Sequence, residues 1–326
     1  MKWHDLNPVL LKWADTRGYA TGWFPVSVVA DAFERIATLR SAGVFEDDFY
    51  RQFLAWVENP EMLPSPDEKS IILVAVPRPA HTVTFDYRGK RFELTLPPTY
   101  YNYRGVFEEV REDLELVFGN SVSLRKTTAP YKGIAAVTGF ARYGLNNIAY
   151  VEGMGSYHQL LAFATPVAVE RCDGRSNSQP MMLEECKECG ACQRVCPAGA
   201  IQQSRFLLHA EMCLTYLSEK EGSLSEAYGR LKRPCLVGCL ACQETCPVNK
   251  GRLRFENLGV HFSEAETECI LGEAGSSGLT TAVCAKVAAL KSSEFDVSSG
   301  HPNVTFRRNL SAVLKWQLLL SKKGRA

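Results

Sequence analysis

The chain of 326 residues carries 12 cysteines, none of them before Cys172. Nine lie between Cys186 and Cys246. Structural disulfides usually spread across a fold, so a dense block reads as a metal-binding module. Within it, Cys186-x2-Cys189-x2-Cys192-x3-Cys196-Pro197 has the spacing of a bacterial ferredoxin [4Fe–4S] run. Three thiolates two residues apart can wrap three corners of one cubane. The fourth, three residues on and followed by proline, points away to a second cluster. A second run, Cys239-x2-Cys242-x3-Cys246-Pro247, lacks one cysteine of the full pattern.

The crossing of ligands between runs gives an expected pairing. The first cluster takes Cys186, Cys189, Cys192 and Cys246. The second takes Cys196, Cys239, Cys242 and one more. Cys213, in an expected helix from Leu207 to Ser218, is favoured for that place, and Cys235, next to Pro234, is the rival. Zinc is the alternative metal, but tetrahedral zinc has no use for three cysteines at successive x2 spacings. Cys172, Cys269 and Cys284 stand alone and read as small buried apolar residues.

Elements must hold these ligands and whatever the electrons are for. Residues 1–60 read as helical, with Leu10, Leu11, Trp13 and Ala14 on one face. Pro60, Pro64 and Pro66 interrupt the pattern. The apolar run Ser70 to Val76 reads as a buried strand. Segments 82–87 and 90–96 alternate around Arg88-Gly89 and read as a hairpin. Residues 103–118 read as a helix with Val106, Val110, Leu114 and Val117 on one face, and 122–124 as a short strand. Residues 147–151 and 160–169 read as an antiparallel pair. Residues 256–326 read as helical, ending in the apolar stretch 304–320. No internal repeat or low-complexity segment is evident, and Gly275–Gly278 reads as a turn. Three segments are therefore expected: an α+β domain at 1–170, a two-cluster ferredoxin-like module at 171–255 and a helical tail at 256–326.

A glycine-punctuated stretch runs from Gly139 through Gly144, Asn146 and Asn147 to Gly153 and Gly155. It is not a GxGxxG fingerprint and on its own reads as two turns. His158 reads as a satisfied histidine at a strand end.

Composition narrows the function. The net charge is +1 and 46% of residues are hydrophobic, ordinary globular values that argue against a nucleic-acid footprint. No window approaches 18 uncharged apolar residues, so no membrane span is expected. Asp5, Trp13 and Asp15 interrupt what a signal peptide would need as an apolar core. The expectation is a cytoplasmic protein.

The ordered set of motifs resembles the epoxyqueuosine reductase family and its relatives, the reductive dehalogenases. The strand near residue 70, the stretch Gly139 to Asn147, the strand pair ending near Val169, both cysteine runs and Cys213-x2-Tyr216 carry the resemblance, over roughly residues 60–255. It implies a nitroreductase-like α+β domain that binds cobalamin, beside a ferredoxin-like module with two [4Fe–4S] clusters. It implies the crossed ligand set with Cys213 on the second cluster. It places Gly139, Gly144, Asn146 and Asn147 at the corrin, where glycine permits close backbone approach. It also implies an external low-potential electron donor, a ferredoxin or flavodoxin, and a small-molecule substrate.

The departures shape the functional expectation. Thr127-Thr128-Ala129-Pro130 stands where the family carries Asp-Ser-Ala-Pro, and Leu145 stands where it carries Lys. Only 301–320 matches its C-terminal helical repeats. Threonine cannot serve as the titrating acid that epoxide reduction needs. The expectation is an oxidoreductase acting on another substrate. The alternative is an electron-transfer or corrinoid-carrier protein without turnover of its own. Tyr100, Tyr101, Tyr103 and Tyr143 are candidate proton donors, each more simply read as packing.

Overall fold

Strand β2 (Ser70–Pro77) is apolar at nearly every position because it is covered on both faces. Ile72, Val74 and Val76 pack with Leu6, Leu10 and Trp13 of helix α1 (Trp3–Arg17). Ile71, Leu73 and Ala75 face the other way, toward Val28, Val29 and Ala32 of α2 (Val28–Ser41). The period-2 alternation of a strand thus divides one run of residues between two cores. The computed structural model describes residues 2–59, 63–119, 121–127, 129–169, 182–273, 279–292 and 302–323. Its chain forms two compact units.

Unit 1 comprises residues 1–77, 104–190 and 203–208. Its sheet is antiparallel, in the order β1 (Ala20–Pro25), β2, β8 (His158–Thr165), β5 (Arg125–Lys126). Helix α4 (Tyr103–Val117) adds Val106, Phe107, Val110 and Leu114 to the α1 side. Helix α5 (Tyr131–Val137) adds Ile134, Ala135 and Val137 to the α2 side. A short α3 (Asp47–Phe53) lies between α2 and β2 in the chain. Strands β6 (Arg142–Tyr143) and β7 (Ala149–Tyr150) make a small hairpin. Helix α6 (Cys186–Cys189) comes last.

Unit 2 comprises residues 78–103, 191–202 and 209–326. Strands β3 (Ala80–Tyr87) and β4 (Lys90–Leu96) are the expected hairpin. Arg88 and Gly89 both take positive φ, 50° and 69°, as a two-residue hairpin turn requires. Strand β9 (Phe255–Phe262) pairs parallel to β3, and Phe262 stacks on Phe85 at 4.7 Å. Around this sheet lie α11 (Glu264–Leu271), α12 (Thr281–Ala289) and α13 (Val304–Lys323), whose Phe306, Leu310, Val313 and Leu314 are fully buried in one core with Val83, Phe85 and Leu94. The cysteine block contributes only short helices: α7 (Ala191–Val195), α8 (Leu214–Glu219), α9 (Glu226–Gly229) and α10 (Ala241–Glu244).

Several elements differ from the sequence reading. Residues 20–25 are a strand inside the stretch read as helical. Gly18, at φ 66°, ends α1, and Trp23 donates to the Ser70 hydroxyl at 2.6 Å across β1–β2. Residues 149–150 pair with 142–143, not with β8, whose neighbours are β2 and β5. The short strand is 125–126 rather than 122–124. Residues 255–262 are a strand in the stretch read as helical, and a capping box of Ser263 and Glu266 marks where helix begins. The 80–96 hairpin groups with the C-terminal residues, so the units interleave in sequence instead of following one another. Cys172 and the 275–278 turn lie outside the described residues.

Candidate iron–sulfur centre

The two cysteine runs fold alike. Helices α7 and α10 pack against each other. In each run a glutamine carbonyl accepts from the amide of the cysteine before proline, Gln193 from Cys196 at 3.4 Å and Gln243 from Cys246 at 3.3 Å. In each run that cysteine's own carbonyl accepts from the amide three residues on, at Gly199 and Asn249, at 3.1 and 3.0 Å. The likeness that cysteine spacing gives the two runs in the sequence thus extends to their backbone hydrogen bonds.

Cys213 is the N-cap of α8 and not, as expected, a residue within a helix. The thiol accepts from the amides of Thr215 and Tyr216, which offset part of the upward push of burial. Helix N-termini favour negative charge, so these amides reduce what burial adds to the cost of a thiolate here. Cys239 is pushed up to about 12 by burial, with the Ala241 amide acting in the other direction. Cys196, Cys213 and Cys239 lie near enough to interact electrostatically. Cys235 is fully buried, and its thiol donates to the Arg233 carbonyl at 3.6 Å. Its own carbonyl accepts from the Tyr228 hydroxyl at 2.9 Å. Cys235 is thus built into the backbone frame. Cys186 and Cys189 belong to unit 1, whereas Cys192 and Cys246 belong to unit 2.

One donor was invisible in the sequence. The β6–β7 turn closes with Asn147 N–H donating to the Gly144 carbonyl at 2.9 Å. At its tip the Leu145 amide donates to Cys186 Sγ at 3.4 Å. A backbone N–H leaves no signature in residue type, so no motif could reveal it. Partly buried thiols that accept amide hydrogen bonds suit the anionic sulfur of an iron–sulfur cluster, and the donor set is all sulfur.

The four residues expected at a corrin are engaged within unit 1. Gly139, at φ 70°, follows the end of α5 in the left-handed conformation that favours glycine. Gly144 is glycine for space: a Cβ would stand 2.5 Å from Asn146 Oδ1 and 2.6 Å from the Tyr150 ring. Asn146 is buried, donates to the Tyr150 hydroxyl at 3.1 Å and accepts from the Ile148 amide at 3.3 Å. Asn147 takes φ 56° and donates to the Phe206 carbonyl at 2.7 Å, while its Oδ1 accepts from the Leu208 amide. The Lys132 ammonium donates to the Asn147 carbonyl at 3.1 Å. The space that Gly144 leaves is therefore filled from within the turn; Asn146 braces the turn and Asn147 ties it to segment 203–208.

The remaining candidates are placed as follows. His158, at the start of β8, is buried and depressed to about 4, with its Nδ1 on the Gly155 carbonyl at 3.1 Å, a satisfied histidine as read. Thr127 is buried and its hydroxyl accepts from the Ala129 amide at 3.1 Å. Thr128 lies outside the described residues. Tyr143 is pushed up to about 12 by burial, against the pull of Arg35. Tyr100 donates to Glu219, Tyr101 packs on the His81 ring at 4.3 Å, and Tyr103 is raised by burial. No described helix is long and apolar enough to cross a membrane.

Residues 185–249 match the family model of a 4Fe-4S double cluster binding domain. The epoxyqueuosine reductase of Salmonella typhimurium is 40% identical over 68 residues, 21% of this chain and 17% of that protein. The enzyme of Lactococcus garvieae is 28% identical over 151 residues, 45% of this chain and 41% of that one. The matched parts thus span well under half of these relatives. Among solved structures, epoxyqueuosine reductase from Bacillus subtilis, with its catalytic aspartate loop swung out of the active site, superposes with a TM-score of 0.62 at 18% identity. That match covers 95% of this chain and 81% of the other. The chain resembles epoxyqueuosine reductases in its double-cluster segment and in its fold. Its fold is a mixed α+β one with a 4Fe–4S-binding segment. A further neighbour, at TM-score 0.56 and 18% identity, is an epoxyqueuosine reductase with an epoxyqueuosine-modified tRNA stem loop.

Proposed function

We propose that this epoxyqueuosine reductase-like chain is an oxidoreductase that passes electrons through two [4Fe–4S] clusters to an acceptor held by unit 1, a nitroreductase-like core. Cluster one takes Cys186, Cys189, Cys192 and Cys246. Cluster two takes Cys196, Cys213, Cys239 and Cys242. The single observation that carries this reading is the Leu145 amide on Cys186 Sγ. It ties a ligand of cluster one to the hairpin turn of unit 1. The N-capping position of Cys213 supports its place as the eighth ligand, and the hydrogen bonds of Cys235 support a structural role for it.

The resemblance names the acceptor as a base-off corrinoid, which would supply a low-valent cobalt for reduction of a small molecule. Gly144 and Asn146 work toward the turn and Asn147 toward segment 203–208, so they furnish no contact that argues for a corrin. That identification therefore rests on the family resemblance. Thr127, with its hydroxyl engaged by the Ala129 amide, leaves the aspartate's position without an acid, which supports a substrate other than epoxyqueuosine. The same observation favours the second reading, a carrier or electron-transfer protein with no turnover of its own. A net charge of +1 argues against nucleic acid, whereas the tRNA complex of a structural neighbour argues for testing it.

The test is an absorbance titration of anaerobically purified protein with cobalamin, with flavin and a tRNA stem loop as parallel arms. The reading predicts corrin binding, and then oxidation of dithionite-reduced clusters as bound corrin is reduced. Flavin binding without corrin binding would overturn the acceptor. Corrin reduction without consumption of any offered substrate would favour the carrier.

A further inference from the structure

Cys213 and Cys239 reach cluster two from separate elements of unit 2, the N-cap of α8 and the loop before α10. A network at the far end of α8 joins these elements. Ser218, fully buried in the last turn of α8, accepts from the Gly238 amide at 2.8 Å and donates to the Thr215 carbonyl at 2.8 Å. Asn309 of α13, also fully buried, donates to the Ser218 carbonyl at 2.9 Å and the Leu236 carbonyl at 3.2 Å. One amide side chain therefore bridges the helix capped by Cys213 and the loop that ends in Cys239.

Arg308 completes the network. Its guanidinium donates to the carbonyls of Lys220 at 2.7 Å, Gly222 at 2.8 Å, Leu217 at 3.0 Å and Ser218 at 3.2 Å. It also donates to Asn309 Oδ1 at 2.8 Å, fixing which way that amide faces. The carbonyls at a helix C-terminus have no partner within the helix, and a cation there is favoured.

We propose that Arg308 and Asn309 are positioning residues for cluster two, fixing the separation of Cys213 and Cys239 and holding a positive charge near that cluster. The proposal rests on the two-cluster reading above and deepens it by making α13 part of the iron–sulfur site. Helix α8 has six residues, a rise of about 9 Å. A cation about 12 Å from an accepted electron, at an effective dielectric of about 20, changes the ratio of reduced to oxidised cluster by about tenfold. Loss of that cation disfavours reduction. For a one-electron couple, tenfold corresponds to about 59 mV.

The experiment is an EPR-monitored redox titration of the full, cluster-loaded chain. Cys213→Ser first identifies which signal belongs to cluster two. Arg308→Met is expected to shift that signal's midpoint to more negative potential by up to about 59 mV while the other signal stays in place. Arg308→Lys, which keeps the charge with fewer carbonyl bonds, is expected to restore most of the midpoint. Asn309→Ala is expected to change the g-values of the same signal. Unchanged midpoints and spectra in both variants overturn the proposal while leaving the ligand reading intact. Joint loss of both clusters in Arg308→Met and Asn309→Ala also overturns it, because that is a general folding role. If Cys213→Ser alters neither signal, the ligand reading itself fails and takes the proposal with it.

Discussion

The amide of Leu145 does chemistry that its side chain cannot announce. A hydrogen bond to a cluster thiolate stabilises the more negative, reduced state, so removing the donor should lower the potential. Leu145 stands second in the Gly144–Asn147 turn, a position that suits proline. Leu145→Pro is therefore expected to shift cluster one to more negative potential, and Leu145→Ala to leave it in place. Redox titration of the two variants checks this; equal potentials would contradict it. His158 supplies a second test. Burial depresses it from 6.5 to about 4, so the unfolded chain binds the proton more readily than the folded one. Its contribution to stability is then full above about pH 6.5 and falls as pH drops toward 4. Between pH 7 and 5 the loss comes to about 2 kcal/mol. Denaturant titrations should show that decline flattened by this amount in His158→Gln.

At the scale of elements, the β6–β7 hairpin separates two uses of glycine. Gly144→Ala drives a Cβ into Asn146 and Tyr150 and is expected to cost about 1–3 kcal/mol while perturbing the cluster-one signal. Gly139→Ala meets open space and is strained only in φ, about 1–2 kcal/mol, with the signal unchanged. Urea melts and EPR spectra of both variants distinguish the cases. Elements with a strong local pattern were legible in the sequence. The continuous run of β2, the alternation around Arg88-Gly89 and the spaced valines of α4 are all present as read. Strands β1 and β9 were not legible. Each contains glycine and little alternation, and each exists because a neighbouring strand offers a ladder, β2 to β1 and β3 to β9.

At the scale of the molecule, the middle of the cysteine block shares the core of unit 2 through Leu214, Tyr228, Leu231, Leu236 and Val237. Helices α6, α7 and α10 run four to five residues each, too short to be stable alone. Metal is then expected to supply much of their order. Hydrogen exchange with and without iron should show protection lost across 186–196 and 239–246 on chelation, while residues 214–237 and the β2 and β8 amides of unit 1 stay protected. Equal protection in both states would contradict this. The segment that matches a double-cluster domain was readable from its cysteine spacing, because a cubane dictates intervals along the chain. The contacts that Leu145 and Ser218 make to it were not, because they act through tertiary contacts and a backbone amide. The proposed electron path needs two cubanes in one chain. Its most direct test is the iron and acid-labile sulfide content of the anaerobically purified full chain. Roughly eight of each per chain, four per cluster, is the predicted result. Zinc in the cysteine block, or about four irons or fewer, would contradict it.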